Sequence, residues 1–99
     1  MTLHIFSASP SASGLLEDCC TTLRDGDVLL LLGEGVHAAS PDSAAARRLA
    51  ALSDGVSLRA LAEDCVERGI NDLMPRCSTA DDAEFVKLAC AHARSVSWF

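Results

Sequence analysis

The sequence predicts an α/β fold: a mostly parallel sheet of four to five strands with helices on both faces. Three observations carry that reading. Short apolar runs alternate with helical patterns along all 99 residues. The run Val28-Leu29-Leu30-Leu31-Leu32 is continuous rather than alternating, as expected of a central parallel strand buried on both faces. A chain of 10.4 kDa has room for one core, so residues 1–99 read as a single domain without repeats or linkers.

Leu3-His4-Ile5-Phe6 is the first strand, and Ser7 to Pro10 supplies the turn after it. A helix from Ser11 or Ser13 to Arg24 follows, with Leu15, Leu16, Cys19, Cys20 and Leu23 on one broad face. Gly26 suits a left-handed position after it. Beyond the apolar run, Gly33-Glu34-Gly35 turns the chain and Val36 to Ala39 makes one helical turn. Ser40-Pro41-Asp42 reads as a fresh helix start, with Ser40 as N-cap and Pro41 in the first helical position. That helix runs to Leu52, and Val56 to Leu61 is the third strand. Glu63 to Arg68 is a short helix stopped by Gly69. Leu73 to Cys77 is a fourth strand, demoted to an edge or a bulge by Pro75. Thr79 caps the last helix, whose buried stripe is Phe85, Leu88 and Ala89, and Ser95 to Phe99 closes the sheet.

Charge narrows the function. The net charge is −6, and residues 1–50 and 51–99 carry −3 each, so there is no charged tail. A uniformly acidic domain repels phosphate backbones, so no direct nucleic-acid binding is expected. Met1-Thr2-Leu3-His4 has no basic start of the kind a secretory signal needs, and Val28 to Leu32 is far too short to cross a bilayer. The expectation is a cytoplasmic protein with no membrane contact. Five cysteines, at positions 19, 20, 65, 77 and 90, are then thiols, and no C-x2-C spacing suggests zinc. No metal and no cofactor is expected. The mean hydropathy of +0.24 and the aromatic end, Trp98-Phe99, suggest surface that partners cover.

Three segments carry a resemblance. Asp25-Gly26-Asp27 through Val36-His37-Ala38-Ala39, with the leucine run between, is similar to the "EGDxLLLLxDGVxAA" stretch of the DsrH/TusB family. Leu3-His4 with Ser9-Pro10 resembles its opening, and Phe85-Val86-Lys87-Leu88 with Trp98 its close. The resemblance implies a small DsrE/DsrF-like fold and a subunit of a sulfur-relay complex. In such a complex two sister subunits, TusC- and TusD-like, join it in a heterohexamer. TusA- and TusE-like proteins carry sulfur to and from the assembly. The pathway implied is 2-thiolation of the tRNA wobble uridine, or the related DsrEFH trafficking in sulfur oxidation.

The resemblance also points to Cys19 or Cys20 as a persulfide carrier, since some members carry a cysteine on the first helix. The residues themselves pull the other way. Glu17 and Asp18 are neighbours, and the helix C-terminal end disfavours an anion, so both thiols also read as apolar filler. Cys65, Cys77 and Cys90 read as structural or incidental. Gly33-x-Gly35-x-x-Ala38 mimics a dinucleotide fingerprint but follows the wrong strand and reads as a tight turn. Glu34 and His37 would stand at the carboxyl end of a central strand, where a stand-alone α/β enzyme would keep an acid–base pair. His4 reads as a hydrogen-bonded strand residue.

Overall fold

The structure, a computed structural model, describes residues 1–11 and 14–99. The strands are β1 (Thr2–Phe6), β2 (Val28–Leu31), β3 (Ser57–Leu61), β4 (Cys77–Ala80) and β5 (Arg94–Trp98). The helices are α1 (Leu15–Thr22), α2 (Ala44–Ala50), α3 (Ala62–Glu67) and α4 (Asp82–Ala91), with a 3-10 helix over Gly33–Ala39. The sheet is parallel at every pairing, in the order β4-β3-β2-β1-β5. β2 is the middle strand, and all four of its residues are buried, as its unbroken apolar run requires.

Topology fixes how the faces are covered. The chain steps in one direction from β1 to β4, then reverses to lay β5 beside β1. Right-handed crossovers put helices from opposite directions of travel on opposite faces. Leu16, Cys19 and Cys20 of α1, Ala46 and Leu49 of α2 and Cys65 of α3 therefore pack with Phe6, Leu29, Leu31 and Leu58. On the other face Phe85 and Leu88 of α4 alone pack over Leu3, Val28, Leu30 and Ala80.

Four local expectations shift. Ser43, not Ser40, caps α2, its hydroxyl accepting the Ala46 N–H at 3.0 Å. Ser40 instead closes the 3-10 helix, and Asp42 adopts a left-handed φ of 65° that no continuous helix tolerates. Asp81, not Thr79, caps α4 through a reciprocal capping box with Glu84, while Thr79 lies within β4. The fourth strand starts at Cys77, where it was expected to end. Pro75 has no N–H to give a ladder, and the N–H of Met74 goes to the Ala39 carbonyl at 2.8 Å. In α4 Phe85 and Leu88 are only half-buried and Ala89 is exposed, so the expected buried stripe is thin. Of the expected starts of the first helix, Ser11 lies in a turn and Ser13 lies outside the described residues; α1 runs from Leu15 to Thr22, short of Arg24 because Leu23 is extended. Gly26 has φ 92°, four residues past the end of α1.

Candidate functional site

The sequence candidates fall at three places, beginning with the thiols of α1. Leu16, Cys19 and Cys20 form the inward face of this helix; Cys19 is fully buried and Cys20 is 3% exposed. Burial pushes the Cys19 thiol up to about 12, with the neighbouring Cys20 adding to it. The Cys20 thiol is also raised, first by burial and then by Glu17, while Arg48 pulls against them. Arg48 reaches across from α2 and grips Glu17 with two bonds, Nε to Oε2 at 2.5 Å and a second at 3.2 Å. A cation thus stands beside Cys20, committed to a carboxylate. Sequence reading found the acidic neighbours but not Arg48, because the contact spans 31 residues. Cys65 and Cys77 are buried too, and the thiol of Cys77 is pushed to about 12 by burial; Cys90 is exposed on α4.

The second place is the carboxyl edge of β2 and β3. Gly35 lets the 3-10 helix lie directly on β1: a Cβ there would stand 2.2 Å from the Phe6 carbonyl oxygen. Gly35 is therefore a packing device and Gly33, at a left-handed φ of 51°, makes the turn, as the tight-turn reading has it. Glu34 and His37 do come together, His37 Nε2 lying 3.3 Å from Glu34 Oε2. Arg68 joins them from the end of α3, its Nε 2.8 Å from the same oxygen. Arg68 foremost, with His37, holds the Glu34 carboxyl below its usual range. Glu34 therefore stays ionised at neutral pH and is a poor proton donor. Both partners of the pair are substantially exposed, 58% and 43% at the side chain, so water competes for them.

The third place is the amino edge of the sheet, where His4 is only 2% exposed. The Trp98 Nε1–H donates to His4 Nδ1 at 3.2 Å, and the two rings stack with centroids 6.3 Å apart. Because indole can only donate, Nδ1 is the acceptor and Nε2 carries the proton, facing Asp27 Oδ2 at 3.4 Å. Asp27 also accepts the backbone N–H of Thr2 at 2.8 Å and of Arg24 at 3.0 Å. Burial raises the Asp27 carboxyl, but these two N–H groups and His4 outweigh it, and the net direction is down. Trp98 thus packs into the core while Phe99 is 87% exposed. The alternation of strand β1 pointed to a bonded His4; its partners, from β5 and the turn before β2, lie too far along the sequence to read.

Among the described residues no group of three metal-ligating side chains comes together, and no helix is long and apolar enough to cross a membrane.

Comparison with known proteins decides the family. The profile described as "DsrH like protein" matches residues 8–95. The chain belongs to the DsrH-like family. Membership supports the sulfur-relay role that the sequence resemblance implies. Among solved structures, the ychN protein from E. coli superposes with a TM-score of 0.87, covering 98% of this chain and 97% of its own, at 15% identity. That likeness concerns the fold alone. No curated protein matches this DsrH-like chain by sequence.

Proposed function

We propose that this DsrH-like chain is a subunit of a cytoplasmic persulfide-relay complex, built with two sister α/β subunits of TusC and TusD type and served by TusA- and TusE-like carriers. The pathway proposed is wobble-uridine thiolation of tRNA, with DsrEFH-type sulfur oxidation as the alternative. The family match over residues 8–95 carries the reading. The chemistry asked of the subunit is a thiol exchange. A thiolate attacks the outer sulfur of a donor persulfide; the new S–S bond forms as the donor's breaks, and the donor leaves as a thiol with no net oxidation.

Cys19 or Cys20 is the proposed acceptor, and the closed packing of α1 dictates when. A buried, protonated thiol does not exchange. A partner that takes Glu17 would free Arg48 to favour the Cys20 thiolate. The burial of both thiols also favours a second reading, in which the chain is an adaptor and a sister subunit carries the sulfur. Affinity purification of the tagged chain from its own cells tests the assembly. Recovery with two small α/β chains supports the relay; a chain recovered alone contradicts it. Sulfur delivery by that complex with Cys19→Ser and Cys20→Ser then separates carrier, where delivery fails, from adaptor, where it persists.

A further inference from the structure

An open cleft of about 900 Å3 lies at the amino edge of the sheet, beside the end of α1. Thr2, His4, Thr22, Arg24, Asp27 and Arg94 are among the residues lining it. Its size falls within the usual range for small-molecule sites. None of the chemistry discussed for the relay uses it.

The other arginines of the chain are engaged elsewhere. Arg48, Arg59 and Arg68 each face a carboxylate. Arg47 donates to the Asp42 carbonyl, and Arg76 to the carbonyls at the end of α2. Among the described residues, the side chains of Arg24 and Arg94 have no ion pair and no hydrogen bond, and both line this cleft. A chain with net charge −6 has thus left its two uncommitted guanidinium groups at one concavity.

The two carboxylates in the cleft already have hydrogen-bond donors of their own. Asp25 accepts from the Ser53 hydroxyl. Asp27 is 6% exposed, and its oxygens are taken by the N–H groups of Thr2 and Arg24 and by His4. These bonds do a second thing. They pin the backbone at Thr2 and at Arg24, on two walls of the cleft, so Arg24 projects from a fixed point. His4, locked between Trp98 and Asp27, holds that carboxylate in place. Two planar, multiply donating cations lining one concavity suit an oxyanion. The cleft is larger than a bare oxyanion fills, and Val96, 39% exposed, offers apolar surface beside it.

We propose that this cleft binds a sulfate- or phosphate-type oxyanion, as the end group of a larger molecule or free, with Arg24 and Arg94 as its ligands. The inference stands apart from the relay and holds whether or not the chain carries sulfur.

The test is a titration of the full chain followed by NMR, with inorganic sulfate, inorganic phosphate and adenosine monophosphate as separate probes, at constant ionic strength kept by chloride. The expected result is saturable shifts of the backbone amides of Arg24, Asp27 and Arg94, half-complete below about 1 mM for the best probe. Tighter binding of the nucleotide identifies an end group; equal binding identifies a free oxyanion. Arg24→Ala and Arg94→Ala should each weaken binding about tenfold, while Arg47→Ala leaves it unchanged. Thermal melts of the variants confirm that they are folded. No saturable shift with any of the three probes, or undiminished binding by a folded Arg24→Ala/Arg94→Ala double variant, overturns the proposal.

Discussion

On one face of the sheet, residues from α1, α2, α3 and the 3-10 helix close over Phe6, Leu29, Leu31 and Leu58, leaving all four no more than 2% exposed. On the other face α4 works alone, and none of its residues is fully buried. A single reversal of strand order produces this inequality, because one return crossover brings one helix. The contrast teaches where the chain keeps its stability and where it has surface to spare. The first face is a finished core that also encloses the four buried thiols. The second is half a core, with Val86 60% exposed on the outer side of its helix.

The sharpest way to break this comparison is a pair of truncations. Leu29→Ala in the finished face should cost about 2–5 kcal/mol, the usual range for a fully buried leucine. Leu88→Ala in the half-buried face should cost about 1 kcal/mol, because it removes less surface from water and the remaining space stays open to solvent. Denaturant unfolding of both variants checks it, and equal losses would erase the distinction between the faces.

Arg76 comes next. Its guanidinium bonds the carbonyls of Leu52 at 2.6 Å and Val56 at 2.9 Å, and also reaches those of Leu49 and Ser53. It stitches the end of α2 to the start of β3. Arg76→Ala should cost about 2 kcal/mol in the same assay, and Arg76→Lys should recover little, since one ammonium nitrogen does not span the carbonyls that two guanidinium nitrogens share. On the thinner face, Asp81→Ala removes the capping box of α4 and should cost about 1 kcal/mol.

The smallest effect concerns pH. The folded state holds the Asp27 carboxyl below its usual value of 3.8. A depressed carboxylate contributes stability that is present above the unfolded value and is lost as pH falls through the folded one. Stability should therefore drop below about pH 4, and Asp27→Asn should flatten its share of that drop. An unaltered acid limb in Asp27→Asn would show that His4 and the two N–H groups do not bind the charged form more tightly.

Much of this was legible in residue pattern. The leucine run marked the central strand because burial on both faces removes alternation. The Cys19/Cys20 face of α1 followed from helical spacing, and the meeting of Glu34 with His37 followed from their place after that strand. What stayed hidden was set by distance along the chain or by competition between adjacent residues. Ser40 and Ser43 both suit a cap, and only the backbone at Asp42 decides between them. Thr79 and Asp81 compete in the same way, and Glu84 settles it by completing the box. Arg48 with Glu17, Arg68 with Glu34, and Trp98 with His4 are pairings across tens of residues that no local signal announces.

The central proposal is that this DsrH-like chain serves a sulfur relay and that its α1 thiols open only in an assembly. The most direct measurement is mass spectrometry of the chain after exposure to a persulfide donor, alone and in complex with its sister subunits. The account predicts one added sulfur on the peptide holding Cys19 and Cys20 in the complex, and none there in the isolated folded chain. Equal uptake by the isolated folded chain, or no uptake on that peptide in a complex that still relays sulfur, would contradict it.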